Sequence, residues 1–259
     1  TELIFLKSRK KPNCIAARAI IRSGKGHKYW SGFSKEKQLG IENLAKEINS
    51  ILFAPPLHLP IKTLDIPIGG KVYSAQTLPL VLQLINMVNE VPDDFEGSLE
   101  NDPSGDDTIQ FLEKVRKLAW RVNSIHASSL GLHPIVYFYS SDGRHKSASF
   151  FGTLSFVMQL EKNNSAQAVE KLLKTAKYKY LSLQSEVDEV TSDEFTRERK
   201  SAVYIKDALS SATKCKICGG YIHTNSITID HITRKKDGGK GTVENGQIAH
   251  PYCNTTLKN

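Results

Sequence analysis

Apolar positions recur at helical spacing along much of this 259-residue chain. Ile41, Leu44, Ala45, Ile48, Ile51 and Leu52 predict a helix over about 35–52, which Pro55-Pro56 stops. Thr77 with Pro79 opens another that runs to about Glu90. It is apolar on nearly every face, as a buried core helix is. Phe111, Val115, Leu118, Val122 and Ile125 mark a third helix, and Ser149–Leu160 an apolar fourth. Helices are also expected over Gln167–Leu183 and from about Glu186 to Ala212, the latter with Val187, Val190, Phe195, Ala202, Ile205 and Leu209 on one face. Strand signals are fewer. Ile61–Ile68 and Lys71–Ser74 flank Gly69-Gly70 as a small hairpin, and Ile135–Tyr139 is a β-rich run.

No apolar run approaches the roughly 18 residues that a membrane helix needs. Leu78–Val88 is the longest, and Gln83 and Asn86 interrupt it. The N-terminus shows no signal-peptide pattern, which together with the cysteine usage predicts a cytoplasmic protein.

The net charge of +8 matters less than its distribution. Residues 1–28 carry eight Lys/Arg against one Glu, and residues 91–107 carry seven Asp/Glu and no base. Residues 214–259 carry seven Lys/Arg against three acids. Basic ends suit phosphate backbones, whose neutralisation releases counterions, although such charge also serves solubility alone. Gly24-Lys25-Gly26-His27-Lys28-Tyr29-Trp30 could wrap a backbone and stack on bases, or be a plain basic loop. The acidic stretch shows no spaced ligand pattern and reads as a solvated loop. His126 and His133 flank the turn after the third helix and read as structural.

The four cysteines are unevenly placed. Cys14 stands alone, whereas Cys215, Cys218 and Cys253 gather near the C-terminus. Cys215 and Cys218 have knuckle spacing, and His250 and Cys253 repeat that spacing after 31 intervening residues. Three thiolates and an imidazole make a closed tetrahedral set for structural Zn²⁺, with His223 as a competing ligand. A segment of about 45 residues is too small to hold itself together by apolar burial, so a metal staple has a physical role here.

Between the two ligand pairs lie Ile229-Asp230-His231-Ile232, a Gly-rich basic stretch and Glu244-Asn245, and Asn254 follows Cys253. Residues 213–259 thereby resemble the HNH endonuclease family in an H-N-N form. The resemblance implies a ββα-metal finger with a first strand at Ile227–Ile229, a connector over Thr233–Val243 and a second strand at Gln247–Ala249. It also implies that Asn245 orients the connector so that His231 points correctly. Gly246 departs from the family pattern, which places an apolar residue there.

Phosphodiester hydrolysis needs an activated water and neutralised charge. An imidazole can accept a proton near neutral pH, which makes His231 the candidate general base. Asp230 and Asn254 offer the oxygen ligands that catalytic Mg²⁺ or Mn²⁺ prefers. Lys235, Lys236 and Lys240 could grip the backbone near the cut.

The expected architecture is therefore α+β: a mostly helical N-terminal domain with a small β hairpin, plus a C-terminal zinc-braced ββα-metal module. The expected boundaries are residues 1–182 for target or partner recognition, a connector helix over 183–212, and the HNH module over 213–259. The expected partner is DNA, most simply double-stranded, with a protein partner open to the N-terminal domain and no membrane. Asp142-Gly143-Arg144-His145-Lys146 resembles the DGQHR-type motif of ParB-like nucleases and modification-dependent restriction proteins, which implies restriction or anti-phage defence; Asp-Gly is also a common turn. A mobile-element or homing nuclease and a non-catalytic zinc-stabilised nucleic-acid-binding protein are the alternatives.

Overall fold

The computed structural model describes residues 10–26, 28–53, 68, 77–92, 99–139, 145–163, 169, 193–195 and 197–257. The expected 61–74 hairpin, the Pro55-Pro56 stop, the Asp142-Gly143-Arg144 turn and nearly all of the helices expected over 167–196 lie outside those residues. The architecture is mainly helical with one two-stranded antiparallel sheet, the α+β class that the periodicity indicates. Described residues up to Ala119 form one compact unit, and those from Trp120 onward form a second.

The first unit is built around a helix that the charge pattern conceals. Pro12–Ile21 forms α1, with proline at its first turn, where a missing N–H costs nothing. Nine of its ten residues are buried, including Asn13 and Arg18, so it is the centre of this unit despite its basic flanks. Helices α2 (Lys35–Leu52) and α3 (Thr77–Val88) pack against it. The apolar stripe of α2 falls where the spacing predicts, and Ser34 caps that helix by accepting the Lys37 amide. Helix α3, read as buried on nearly every face, buries only Thr77, Val81, Leu82, Leu84 and Ile85. Two amides tie the three helices: Asn13 Nδ2 donates to Asn86 Oδ1 (2.9 Å) and Asn49 Nδ2 to the Ile20 carbonyl (2.8 Å).

The basic aromatic segment after α1 is built inward. Trp30 is 1 % exposed and its indole N–H reaches Glu42 Oε1 at 3.2 Å, so it is no platform for bases. The Arg18 guanidinium lies 4.6 Å from the centre of the Tyr29 ring. Gly24, at φ +65°, lets the chain pass so close to α2 that a Cβ would stand 2.0 Å from the Glu42 carbonyl oxygen.

The acidic stretch is only partly a solvated loop. Asp102 is 4 % exposed and accepts from the Gly105 and Thr108 amides (2.7 and 2.9 Å) and from Thr108 Oγ1 (2.7 Å). These bonds organise the entry into α4 (Asp106–Val122), whose acidic first turn also suits the helix dipole. Ile125, expected on the apolar face of α4, lies beyond its end and is 80 % exposed.

In the second unit, the β-rich run Ile135–Tyr139 is not a strand. Pro134–Tyr137 is one buried helical turn, α5, and Tyr139 makes only an isolated bridge to His145. Pro134 at the first helical position favours the turn, and the run's bulky residues are buried in any case. Helix α6 (Ser147–Lys162) follows, and α7 (Arg197–Ser211) precedes the C-terminal segment. There β1 (Thr228–His231) pairs antiparallel with β2 (Gly246–Ala249). A short helical turn, Cys253–Leu257, closes the chain.

Asp102→Ala should destabilise the protein by about 2–4 kcal/mol, because it leaves a helix entry without its charge-assisted acceptor. Urea unfolding reads the loss, and a change below about 0.5 kcal/mol would contradict this role for the carboxylate.

Candidate zinc brace and catalytic cleft

Cys215, Cys218, His250 and Cys253 converge, all buried, with their ligand atoms within 4.8 Å of one another. Backbone bonds shape the first pair into a knuckle: the Gly219 amide donates to the Cys215 carbonyl, and the Cys215 amide to the Gly220 carbonyl, both at 2.9 Å. The second pair leaves the end of β2 at the start of the final helical turn. His250 Nδ1 lies 3.4 Å from the Cys218 sulfur and 3.7 Å from that of Cys253. Its Nε2 lies 3.1 Å from the Tyr221 carbonyl. Donating there fixes the tautomer and leaves Nδ1 for a metal, the usual second-shell arrangement for a ligating histidine.

The donor set fits structural Zn²⁺ in chemistry and in burial. Burial by itself would lower His250, but bonds to the Cys215 and Cys218 sulfurs outweigh it and raise the imidazole to about 9. Bonds from Cys218 and then Cys253 hold the Cys215 thiol far below its ordinary range. Tyr137 of α5 feels the same cluster: burial first, then the sulfurs of Cys218 and Cys253, push its hydroxyl up.

His223 stands outside the ligand set. It is 3 % exposed, and its Nδ1 accepts the Asn225 amide at 3.2 Å. Its ring meets His133 edge-on, 5.9 Å between centroids. Burial lowers His223 to about 4, and burial followed by the charge of His223 lowers His133 to about 3. Both are therefore neutral core groups near pH 7.

Residues of the second unit that precede the zinc ligands support the module. Ser226 Oγ donates to Asn123 Oδ1 (2.9 Å) and lies 3.1 Å from Ser129 Oγ, all buried. The Tyr252 amide donates to the Ser129 carbonyl (3.0 Å), and the Arg121 guanidinium lies 4.5 Å over the Tyr252 ring. Thr255 Oγ1 reaches the Ala127 carbonyl at 3.0 Å. Sequence reading missed these partners, because isolated Ser and Asn residues carry no periodic signal.

The hairpin carries the second set of residues. Thr228 pairs with Ala249, Asp230 with Gln247 and His231 with Gly246. Cross-strand partners share a face, so no side chain stands opposite the His231 imidazole. Gly246, the departure from the family pattern, sits close against Ile229, whose Cγ2 a Cβ there would meet at 3.3 Å. Asp230 is 6 % exposed and Gln247 Nε2 donates to its Oδ2 at 2.7 Å. Asn254 Nδ2 donates to the Ile229 carbonyl at 3.4 Å; among the described residues its oxygen accepts nothing.

Asp230, His231 and Asn254 line a cleft of about 480 Å³ together with Arg234, Lys235 and Lys236. Lys240 is not among the lining residues. Asn245 does not line it either, but holds the connector: its Oδ1 accepts the Thr233 amide (2.7 Å), and its Nδ2 donates to the Thr233 and Lys240 carbonyls (3.1 and 2.8 Å). Gly239 completes the clasp, since a Cβ there would come 1.9 Å from the Thr233 carbonyl oxygen. Arg234 is the cleft residue that the sequence reading passed over, one position before the lysines it named.

Residues 215–259 match the family model described as HNH endonuclease. This agrees with the hairpin, the final helical turn and the ligand cluster that the geometry gives for the same residues. No curated protein and no solved structure gives a significant match to the chain.

Elemental analysis should find about one zinc per chain, and chelation should lower the melting temperature; full stability in metal-free protein would contradict the brace. The two buried histidines set an acid limit. Their folded pKa values lie below the ordinary 6.5, so their contribution is intact above that pH and fades as pH falls toward 4 and 3. His133→Gln should spare the protein on the order of 3 kcal/mol of the loss between roughly pH 7 and pH 4. Parallel urea titrations of wild type and variant read the difference, and parallel pH profiles would refute it.

Proposed function

We propose that this protein is a metal-dependent endonuclease that hydrolyses phosphodiester bonds of double-stranded DNA. The observation that carries the reading is the convergence of Asp230, His231 and Asn254 with three cationic side chains in one cleft. The HNH family match over the same segment supports a nuclease assignment.

His231 is the general base: it removes a proton from a water molecule as the water oxygen attacks phosphorus. The bond from phosphorus to the 3′ oxygen breaks, leaving a 5′ phosphate and a 3′ hydroxyl. Asp230 and Asn254 are the residues that would hold Mg²⁺ or Mn²⁺, an ion that neutralises charge on the departing oxygen when bound. Gln247 fixes the Asp230 carboxylate by its bond to Oδ2. Asn245 acts at a distance, holding the backbone after His231 through Thr233 and through its own carbonyl, which accepts the Ile232 amide at 2.8 Å. Lys235, Lys236 and Lys240 supply backbone contacts that carry no sequence information. The first unit and the resemblance of the Asp142–Lys146 run extend the reading to restriction or anti-phage defence, with target selection outside the module.

Incubating supercoiled plasmid with the full chain and Mg²⁺ or Mn²⁺ tests the proposal. Wild type should nick or cut, EDTA should stop it, and His231→Ala should slow it by about a hundredfold or more. Equal cutting by both proteins, or none by either, would refute the assignment and favour a zinc-stabilised binding module.

A further inference from the structure

We propose that Arg234 is the side chain that holds the scissile phosphate, and that Asn245, by the same bonds that hold the backbone after His231, also holds Arg234 in place. This rests on the endonuclease reading and deepens it. Arg234 lines the cleft with Asp230, His231 and Asn254, and it is half-buried where the neighbouring lysines are exposed. Its guanidinium makes no hydrogen bond or ion pair with any described residue. The cleft therefore holds a partly shielded guanidinium that no described carboxylate pairs with, and its donors are available to an anion.

The backbone around Arg234 is pinned from both sides. Before it, Asn245 grips both the amide and the carbonyl of Thr233. At Arg234 itself, the carbonyl accepts the Asp237 amide (2.9 Å) and the Gly239 amide (3.0 Å). Gly239 in turn fits only because it lacks a Cβ that would strike Thr233. A planar five-donor fork on a fixed stem suits two oxygens of one phosphate, a geometry that a lysine on a free stem cannot match. Charge that develops on those oxygens in the transition state meets a donor whose backbone is already fixed beside the cleft, so the contribution falls on kcat.

The test is single-turnover cleavage of a 5′-labelled duplex oligonucleotide by the full chain, with affinity for the same duplex measured in EDTA. Arg234→Gln should lower the cleavage rate by about a hundredfold or more while duplex affinity changes less than about fivefold. Arg234→Lys should recover only part of the rate. Asn245→Ala should resemble Arg234→Gln, and the double variant should be little worse than either, because one residue works through the other. Zinc content and melting temperature establish that each variant is folded; where Arg234→Gln is not, Arg234→Lys carries the test.

A rate within threefold of wild type in Arg234→Gln overturns the proposal, as does a loss confined to affinity. Fully additive losses in the double variant overturn the positioning role of Asn245. If wild type cuts nothing, the endonuclease reading fails. The role of Arg234 then falls with it, whereas a wild type that cuts beside an Arg234→Gln variant that cuts as fast removes the Arg234 role alone.

Discussion

A C-terminal segment of about 45 residues cannot bury enough apolar surface to fold alone, and the rest of the site depends on how that deficit is met. Cys215 and Cys218 sit on a knuckle before β1, and His250 and Cys253 follow β2, so a metal bound by all four fixes both ends of the hairpin. With those ends fixed, the His231 strand and the Asn254 turn are held against each other. The candidate catalytic groups come from the two sides of the brace, which makes the brace a condition of the chemistry and not an addition to it.

Metal is not the whole of the support. Ser226 is buried against Asn123 and Ser129 and Tyr252 against Arg121, while the exposed Thr255 reaches the Ala127 carbonyl. Buried polar groups of this kind are expensive to leave unpaired, so each satisfied pair specifies one seating of the module on its supporting segment. The same region holds the His133 and His223 rings neutral by burial. Zinc chemistry and core electrostatics both disfavour acid in this half of the chain.

The connector shows how a loop can be rigid without regular structure. Asn245 satisfies three backbone groups at once, and Gly239 permits the approach that makes those bonds possible. The residues thus held, from Ile232 to Arg234, follow directly on the candidate base. On the proposed endonuclease reading, a loop pinned in this manner loses little entropy when a substrate arrives.

Several elements were legible in the residues alone because their signals are local. The stripe of α2, the extent of α3, the paired Cys and His spacing and the order Asp230, His231, Asn245, Asn254 all lie within short windows. Where the determining contacts are non-local, the sequence was silent or misleading. The burial of α1 depends on α2 and α3 covering it, so its flanking charges hid a core helix. Ile135–Tyr139 has strand-forming residues but no ladder to join, and Pro134 turned it into α5. Asp102 reads as one acid among seven until its amide partners are brought to it. Arg234 likewise became distinct from Lys235 and Lys236 only when the fold shielded it, unpaired, in the cleft. Residue type and spacing determine which chemistry is available to this protein; only tertiary packing decides which groups are buried, paired or left facing a substrate, because those properties belong to neighbours that are distant in the chain.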